Sequence, residues 1–443
     1  MKIAIISLQF EETATGGGGV HVENICKQFI ALSNEVTVIS IHTKRTLRNI
    51  KLESLQTPSS MEKRCKLTII RFLIEKGIEQ PYVGSKKEEL QRIKQFADAV
   101  VKWIVPRIEK FDVISLQGHH ILPGLIAKKL KHTGVKIVST IHALESTFVS
   151  QKGESLGSFD ATKEMLSKLR TWEAMSQFAD FIILNSPSVR DEYLKILKQQ
   201  GFEPQKFAKK TKVISSGCNA DFLMSDEEIN HKLFTLPEKI NLVTFCRIDP
   251  SKGMEFSIEG AKEAAKMYSG KLCLFIIGIP ASEEYLNKLY SKTKQMPSNL
   301  EIKFHLTSAI SPPPKKKQIL DDKHIYVMPT LKEPFGMSII EASARGNMIV
   351  STDTTGPAYM MEQESNMHYD WGIITNYGVL ARIAEDHHKN LAKNIGKAIV
   401  WSIKNWEGGA ERITAFNEKI REKWTWEGIA KQYLKLFESQ LVL

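Results

Sequence analysis

Cysteine is scarce and unpaired in this sequence: Cys26, Cys65, Cys218, Cys246 and Cys273 are odd in number, far apart and without any Cys-x-x-Cys spacing. That disfavours a disulfide framework and a zinc site, and it fits a reducing cytoplasm. Long apolar runs are also lacking. No segment approaches the ~18 consecutive apolar residues of a membrane span. The short apolar stretch at residues 3–8 meets Glu11 and Glu12 too soon for a signal peptide, so any membrane contact is expected to be peripheral. Low-complexity sequence is limited to the glycines at 16–19 and the prolines at 312–314, both read as loops, and no repeat has a solenoid period. An acidic excess is absent too. Lys and Arg number 61 against 50 Asp and Glu, a net charge of +11 that favours anionic partners. The basic runs (Lys128, Lys129, Lys131; Lys209, Lys210, Lys212; Lys315, Lys316, Lys317) are short, scattered and free of interleaved aromatics. They read as solvated faces, and nucleic acid is not expected as a partner.

What is present is an ample core. The chain has 443 residues, 42% hydrophobic and 25% charged, which is globular composition at a length calling for more than one domain. Short β-rich runs alternate with helix-period segments throughout, the pattern of parallel sheets flanked by helices. Strands are expected at 2–8, 35–41, 67–72, 112–116, 136–141, 181–185 and 212–215, and again at 241–246, 272–278, 301–304, 325–328 and 348–351. The polar segment 221–239, with Pro237 and no clear strand, reads as the linker between halves. The expected architecture is α/β, two doubly wound Rossmann-like domains facing a central cleft. They are placed at residues 1–220 and 221–424, followed by a terminal helix at 425–443 that packs on the body and is free to cross back to the first domain. Trp426, Ile429, Tyr433, Leu436 and Phe437 share one side of that helix, which reads as packing.

Three segments are placed to do chemistry. Gly16, Gly17, Gly18 and Gly19 follow the first strand and lead into a helix near Val20, which offers free backbone N–H groups and a positive helix end to a phosphate. A G-x-G-x-x-G fingerprint fails at Val22, and no acid ends the next strand, so NAD is disfavoured; a P-loop fails for want of Gly-Lys-Ser/Thr. A plain flexible turn explains the glycines as well. In the second half, the strand at 241–246 runs into Arg247, Asp249, Pro250, Ser251, Lys252 and Gly253, two cations at the carboxyl end of a strand where a doubly wound fold takes a ligand. The strand at 325–328 leads to Glu333, Pro334, Phe335, Gly336, Met337, Ser338 and Glu341. Pro334 and Gly336 force a turn, which puts Glu333 in the loop and Glu341 on the second turn of a helix whose first N–H groups come from Phe335, Gly336, Met337 and Ser338. Two solvated acids and an ordinary helix cap are the bland alternative.

Taken together, these segments resemble the retaining nucleotide-sugar glycosyltransferases of the glycogen-synthase and sucrose-phosphate-synthase type, which have the GT-B fold. The resemblance covers nearly the whole chain. It rests on the Gly-rich turn with Gly19-Val20-His21-Val22, Thr140-Ile141-His142, Ala179-Asp180, Ser216-Gly217, Arg247 with Lys252, Glu333-Pro334-Phe335-Gly336, Glu341-Ala342, Gly356-Pro357 and Trp426-Glu427. It implies that Arg247 and Lys252 bind the donor diphosphate, assisted by Gly18, Gly19, Phe335, Gly336, Met337 and Ser338. Glu341 would take the ribose hydroxyls, Glu333 the 3- and 4-hydroxyls of the transferred sugar, and His142 its 6-hydroxyl. Ser115-Leu116-Gln117 stands where family members often carry His-x-His, Asn219 where an Asp is common, and Leu306 near a usual glycine. The function implied is transfer of a hexose, glucose or mannose, from a UDP-, ADP- or GDP-sugar to a sugar, sugar-phosphate or glycan hydroxyl, with retention by front-face attack. Neither a metal nor any cofactor beyond the donor is implied. The alternatives are a nucleotide-sugar epimerase on the same fold and a non-catalytic nucleotide- or glycan-binding protein. Base, acceptor and oligomeric state stay open at this level.

Overall fold

Strands joined through helices pair in parallel, because a crossover helix carries the chain back to the end of the sheet where the preceding strand began. The computed structural model describes all residues except 15, 44–57, 76–77, 79–85, 119–120, 148–161, 309–310, 363–365, 384–388 and 440–443. The described residues fall into two units. One takes in Met1–Ser155, Phe159–Ser216 and Trp426–Leu443, and the other Gly217–Thr425.

The first unit holds strands β1 (Lys2–Ile6), β2 (Glu35–Ile41), β3 (Pro58–Arg64), β4 (Leu67–Phe72), β5 (Val113–Gly118), β6 (Lys136–Ile141), β7 (Phe181–Leu184) and β8 (Thr211–Val213). Its helices are α1 (Gly17–Ala31), α2 (Lys86–Ile104), α3 (Leu122–Leu130), α4 (Lys163–Ala174), α5 (Pro187–Gln199) and α6 (Pro204–Ala208). The sheet order is β3-β4-β2-β1-β5-β6-β7-β8, parallel except for the edge hairpin β3/β4. Starting from β1, the chain moves out through β2 to β4 and then returns to β5 on the other side. The carboxyl ends of β1 and β5 therefore flank a topological switch point.

The second unit contains α7 (Asp226–Leu233), β9 (Lys239–Phe245), α8 (Met254–Met267), β10 (Lys271–Gly278), α9 (Glu283–Lys292), β11 (Leu300–Leu306), α10 (Pro313–Asp321), β12 (Ile325–Met328), α11 (Met337–Ala344), β13 (Met348–Thr352) and α12 (Thr355–Met361). It continues with β14 (Met367–Tyr369), β15 (Gly372–Ile374), β16 (Val379–Ala381), α13 (Leu391–Lys404) and α14 (Gly409–Lys423). The order β11-β10-β9-β12-β13-β16-β15-β14 repeats the switch, here between β9 and β12, and ends in an antiparallel edge. Each sheet is buried by its own apolar cluster. Phe96, Val100, Ile114 and Ile126 belong to the first, and Ile258, Leu274, Val327 and Ile399 to the second.

Three expectations need correction. Residues 221–239 are not a linker: Ser225 caps α7 with a reciprocal Glu228 capping box, and Ile229 and Leu233, four residues apart, face the core of the second unit. Gly17, Gly18 and Gly19 are not a loop but the first turn of α1. Pro313 and Pro314 open α10, where the missing N–H groups cost nothing.

The last helix, α15 (Trp426–Glu438), belongs to the first unit, packed on α1. The chain thus leaves the first unit after Ser216 and returns to it at Trp426. Within the second unit the outgoing and returning segments meet, with the Cys218 N–H donating to the Trp424 carbonyl at 2.7 Å.

Candidate active site

In the second unit, β9 ends at Phe245, and Cys246, Arg247, Ile248 and Asp249 carry the chain into a single 3-10 turn, Pro250–Lys252. Asp249 builds that turn. Its Oδ1 accepts from the Ser251 N–H at 3.0 Å and from Ser251 Oγ at 2.6 Å, while its Oδ2 lies 3.2 Å from Arg247 Nη2. Asp249 is buried, whereas the Arg247 side chain is 52% exposed, so a fixed acid holds one side of a guanidinium that faces outward. The sequence reading passed over Asp249, although Asp-Pro-Ser is a recognisable capping pattern.

Gly253 ends the turn with φ 65°, and a Cβ there would lie 2.0 Å from the Pro329 carbonyl oxygen. Only glycine permits that approach. It joins the loop after β9 to the loop after β12, where Leu331 N and Thr330 Oγ1 both donate to the Ser251 carbonyl, at 3.0 and 3.1 Å. The result brings Lys252 to Glu333, with Nζ 2.5 Å from Oε2. Burial alone would pull the Lys252 ammonium down, but the Glu333 carboxylate outweighs it and the net shift is upward, so the lysine is charged. The neighbouring Cys246 thiol is pushed up to about 12 by burial and stays neutral.

Glu333 is held from behind as well. Its carbonyl accepts from the Gly356 N–H at 2.8 Å and from Thr355 Oγ1 at 2.5 Å. A Cβ on Gly356 would lie 2.2 Å from the Phe335 oxygen and 2.6 Å from the Glu333 oxygen, which explains glycine in Gly356-Pro357. Gly336, with φ 114°, is the N-cap of α11, so Phe335, Gly336, Met337 and Ser338 sit at the helix start as the sequence anticipated. Glu341, on the second turn of α11, is met by a residue the sequence reading placed on a solvated face: Lys316 Nζ lies 2.7 Å from Oε1 and 3.0 Å from Oε2. Arg247, Lys252, Glu333 and Glu341 are therefore gathered around one switch point. Among the described residues, no group of three His, Cys, Asp or Glu side chains could hold a metal ion.

Gly18, Gly19 and His142 lie in the first unit. Gly19 has a packing reason to be glycine, since a Cβ would lie 2.4 Å from the Ala14 Cβ and 2.9 Å from Gln9 Oε1. His142 follows β6 and is buried; its N–H donates to the Gly118 carbonyl at 3.1 Å, and its carbonyl accepts from Asn185 Nδ2 at 3.0 Å. Its ring packs edge-on against His21, centroids 4.6 Å apart. His21, on the second turn of α1, is fully buried, with Nδ1 3.1 Å from Ser216 Oγ and Nε2 3.2 Å from the Tyr433 hydroxyl. Burial pushes its imidazole down to about 3, so it is neutral near pH 7. Tyr433 continues to Thr140 Oγ1 at 3.2 Å, and Gln117 Nε2 donates to Thr140 and to Ser115 Oγ. Tyr433 on α15 thus has a polar role beyond packing.

Comparison with known proteins matches residues 15–221 to the model of Glycosyltransferase Family 4 and residues 225–370 to that of Glycosyl transferases group 1. A probable sucrose-phosphate synthase of Thermosipho melanesiensis is 25% identical over 370 residues, 81% of this chain and 78% of the relative. The catalytic domain of starch synthase IV from Arabidopsis thaliana, solved with ADP and acarbose, superposes with a TM-score of 0.69 at 15% identity, covering 98% of each chain. An Anabaena HepE structure in complex with UDP and glucose gives 0.64 at 16%, covering 99% of this chain and 100% of that one. An epimerase is thereby set aside, and two Rossmann-like units with these matches identify the chain as a glycosyltransferase of the GT-B fold.

Proposed function

We propose that this glycosyltransferase moves a hexose, with retention, from a nucleotide diphosphate sugar to a hydroxyl acceptor without help from a metal ion. The observation that carries the reading is the Lys252–Glu333 pair at the β9/β12 switch point, beside Arg247 and the start of α11. Cleaving the bond between the sugar and the diphosphate sends its electron pair to the β-phosphate. The group that gains charge as the reaction proceeds is therefore the diphosphate. Arg247, Lys252 and the N–H groups at the start of α11 are fixed positive partners for it. With Oε2 of Glu333 occupied by Lys252, Oε1 is left to accept from the sugar's hydroxyls, and Glu341 takes the ribose.

In this reading the acceptor oxygen bonds to the anomeric carbon from the side the diphosphate leaves, and its proton passes to a departing phosphate oxygen. Gly18 and Gly19 in the first turn of α1 serve the diphosphate, and His142 the sugar. UDP in one structural neighbour and ADP in another favour a uridine or adenosine donor, with GDP as the remaining candidate. The acceptor belongs to the class of sugars, sugar phosphates or glycans, and the reaction is placed in the cytoplasm.

A panel of UDP-, ADP- and GDP-hexoses, with NMR of the product in the presence of EDTA, tests the reading. Retained anomeric configuration and undiminished turnover are expected. An inverted product, or a strict requirement for a divalent ion, overturns it. A protein that binds the donor yet never turns it over, with or without acceptor, would instead be a binding module.

A further inference from the structure

Three lysines in a row, Lys315, Lys316 and Lys317, have three different fates. Lys315 is exposed and reaches Gln318 in its own helix at 3.1 Å, and Lys317 pairs with Asp221 at 2.7 Å. Lys316 turns inward. It and Glu341 are only 14% and 15% exposed, and its ammonium touches both carboxylate oxygens.

We infer that Lys316 is a positioning residue for nucleotide binding, holding Glu341 so that its carboxylate presents one free acceptor site on each oxygen to the vicinal ribose hydroxyls. The inference rests on the proposed role of Glu341.

Three physical arguments support it. A carboxylate has about four acceptor sites, two per oxygen. One contact from Lys316 on each oxygen leaves a matched pair, which suits a diol, whereas a single-oxygen contact would leave the other oxygen to rotate. The second argument is charge. A bare carboxylate at this switch point would repel a nucleoside diphosphate, while Lys316 neutralises it without removing its acceptors. Burial and the Glu341 charge push the nearby Cys218 thiol well above its ordinary range, so it keeps its proton, which it donates to the Asn219 carbonyl. Fixing the Glu341 rotamer before the ligand arrives also removes an ordering cost from binding.

Calorimetry decides the point, with UDP, ADP and GDP and their 2′-deoxy counterparts titrated into the full chain and into Lys316→Met and Lys316→Arg. The readout is the ratio of ribo to deoxy affinity, which an unfolded fraction does not change because it lowers both affinities alike. Wild type is expected to prefer the ribonucleotide about tenfold, one hydrogen bond to a charged acceptor. In Lys316→Met the preference should fall to about threefold or less, with Lys316→Arg restoring most of it. An unchanged ratio in Lys316→Met overturns the inference and leaves the ribose site standing. A wild type that binds these nucleotides with no ribose preference overturns the role of Glu341 itself, and the inference with it. A Lys316→Met protein too unstable to titrate transfers the decision to Lys316→Gln and the same ratio.

Discussion

The two units surround their candidate site residues with different chemical forms of polar group. Around His142 the first unit uses neutral groups: His21, Ser216, Tyr433, Thr140, Gln117 and Ser115 are linked by hydrogen bonds, and no formal charge is needed among them. Around its own switch point the second unit uses ions, in the pairs Lys252–Glu333, Lys316–Glu341 and Arg247–Asp249. Neutral networks fix shape at small electrostatic cost, whereas ion pairs taken out of water hold a field ready for a charged ligand. The contrast suits the proposed reaction, in which the donor's diphosphate is charged and the transferred hexose is neutral.

The largest expected break comes on the ionic side. Lys252→Ala should lower turnover about a hundredfold or more, ~2.7 to 4 kcal/mol by analogy with losing one preorganised donor. Steady-state kinetics below the unfolding range checks it, and wild-type turnover would remove Lys252 from the chemistry. Next is the support beneath that lysine. Gly253→Ala sets a Cβ against a carbonyl at a left-handed position, so about 2 to 3 kcal/mol of stability should be lost, read from urea unfolding.

On the neutral side, His21→Phe keeps an aromatic ring but strands the Ser216 hydroxyl and leaves the Tyr433 hydroxyl with Thr140 alone. It should cost about 1 to 3 kcal/mol in the same measurement. A loss below about 0.5 kcal/mol would show that the network contributes nothing to stability.

Acid should distinguish the units by a smaller margin. Burial lowers His21 to about 3 and, with the Arg71 charge, His42 to about 4 in the first unit; burial and the Lys232 charge take His324 to about 4 in the second. Free imidazole titrates near ~6.5. Between that value and the folded ones the unfolded chain binds more protons, so stability falls as pH falls. The histidine contribution is complete above about pH 6.5 and lost on the way to pH 3 or 4. With two such groups against one among the described residues, hydrogen exchange should show the first unit opening earlier on acidification, and His21→Phe should flatten that slope.

The long parallel strands were legible, and β2, β4, β6 and β12 match the sequence reading residue for residue, because a buried strand needs an unbroken β-branched run. The edges were not. β14, β15 and β16 have three residues each, too few for a period to emerge, and the exposed β3 carries Glu62, Lys63 and Arg64 as an edge strand does. In the candidate site, Arg247, Lys252, Glu333 and Glu341 were legible from their place after strands. Asp249, Lys316 and His21 were not read as partners. For Lys316 nothing in a lysine triplet marks which member turns inward, and for His21 the partners lie 195 and 412 residues away.

That last separation has a consequence during synthesis. His21 emerges from the ribosome early, whereas Tyr433 emerges only after all of the second unit, so the first unit's sheet must wait with α1 uncovered and a histidine still wet. Phe29, which meets Tyr433 edge-on and Phe437 at a tilt, waits with it. A nascent chain stopped at Thr425 is thus an N-terminal unit missing one wall, with an apolar face for a chaperone to shield, and adding Trp426–Glu438 in trans as a peptide should close it.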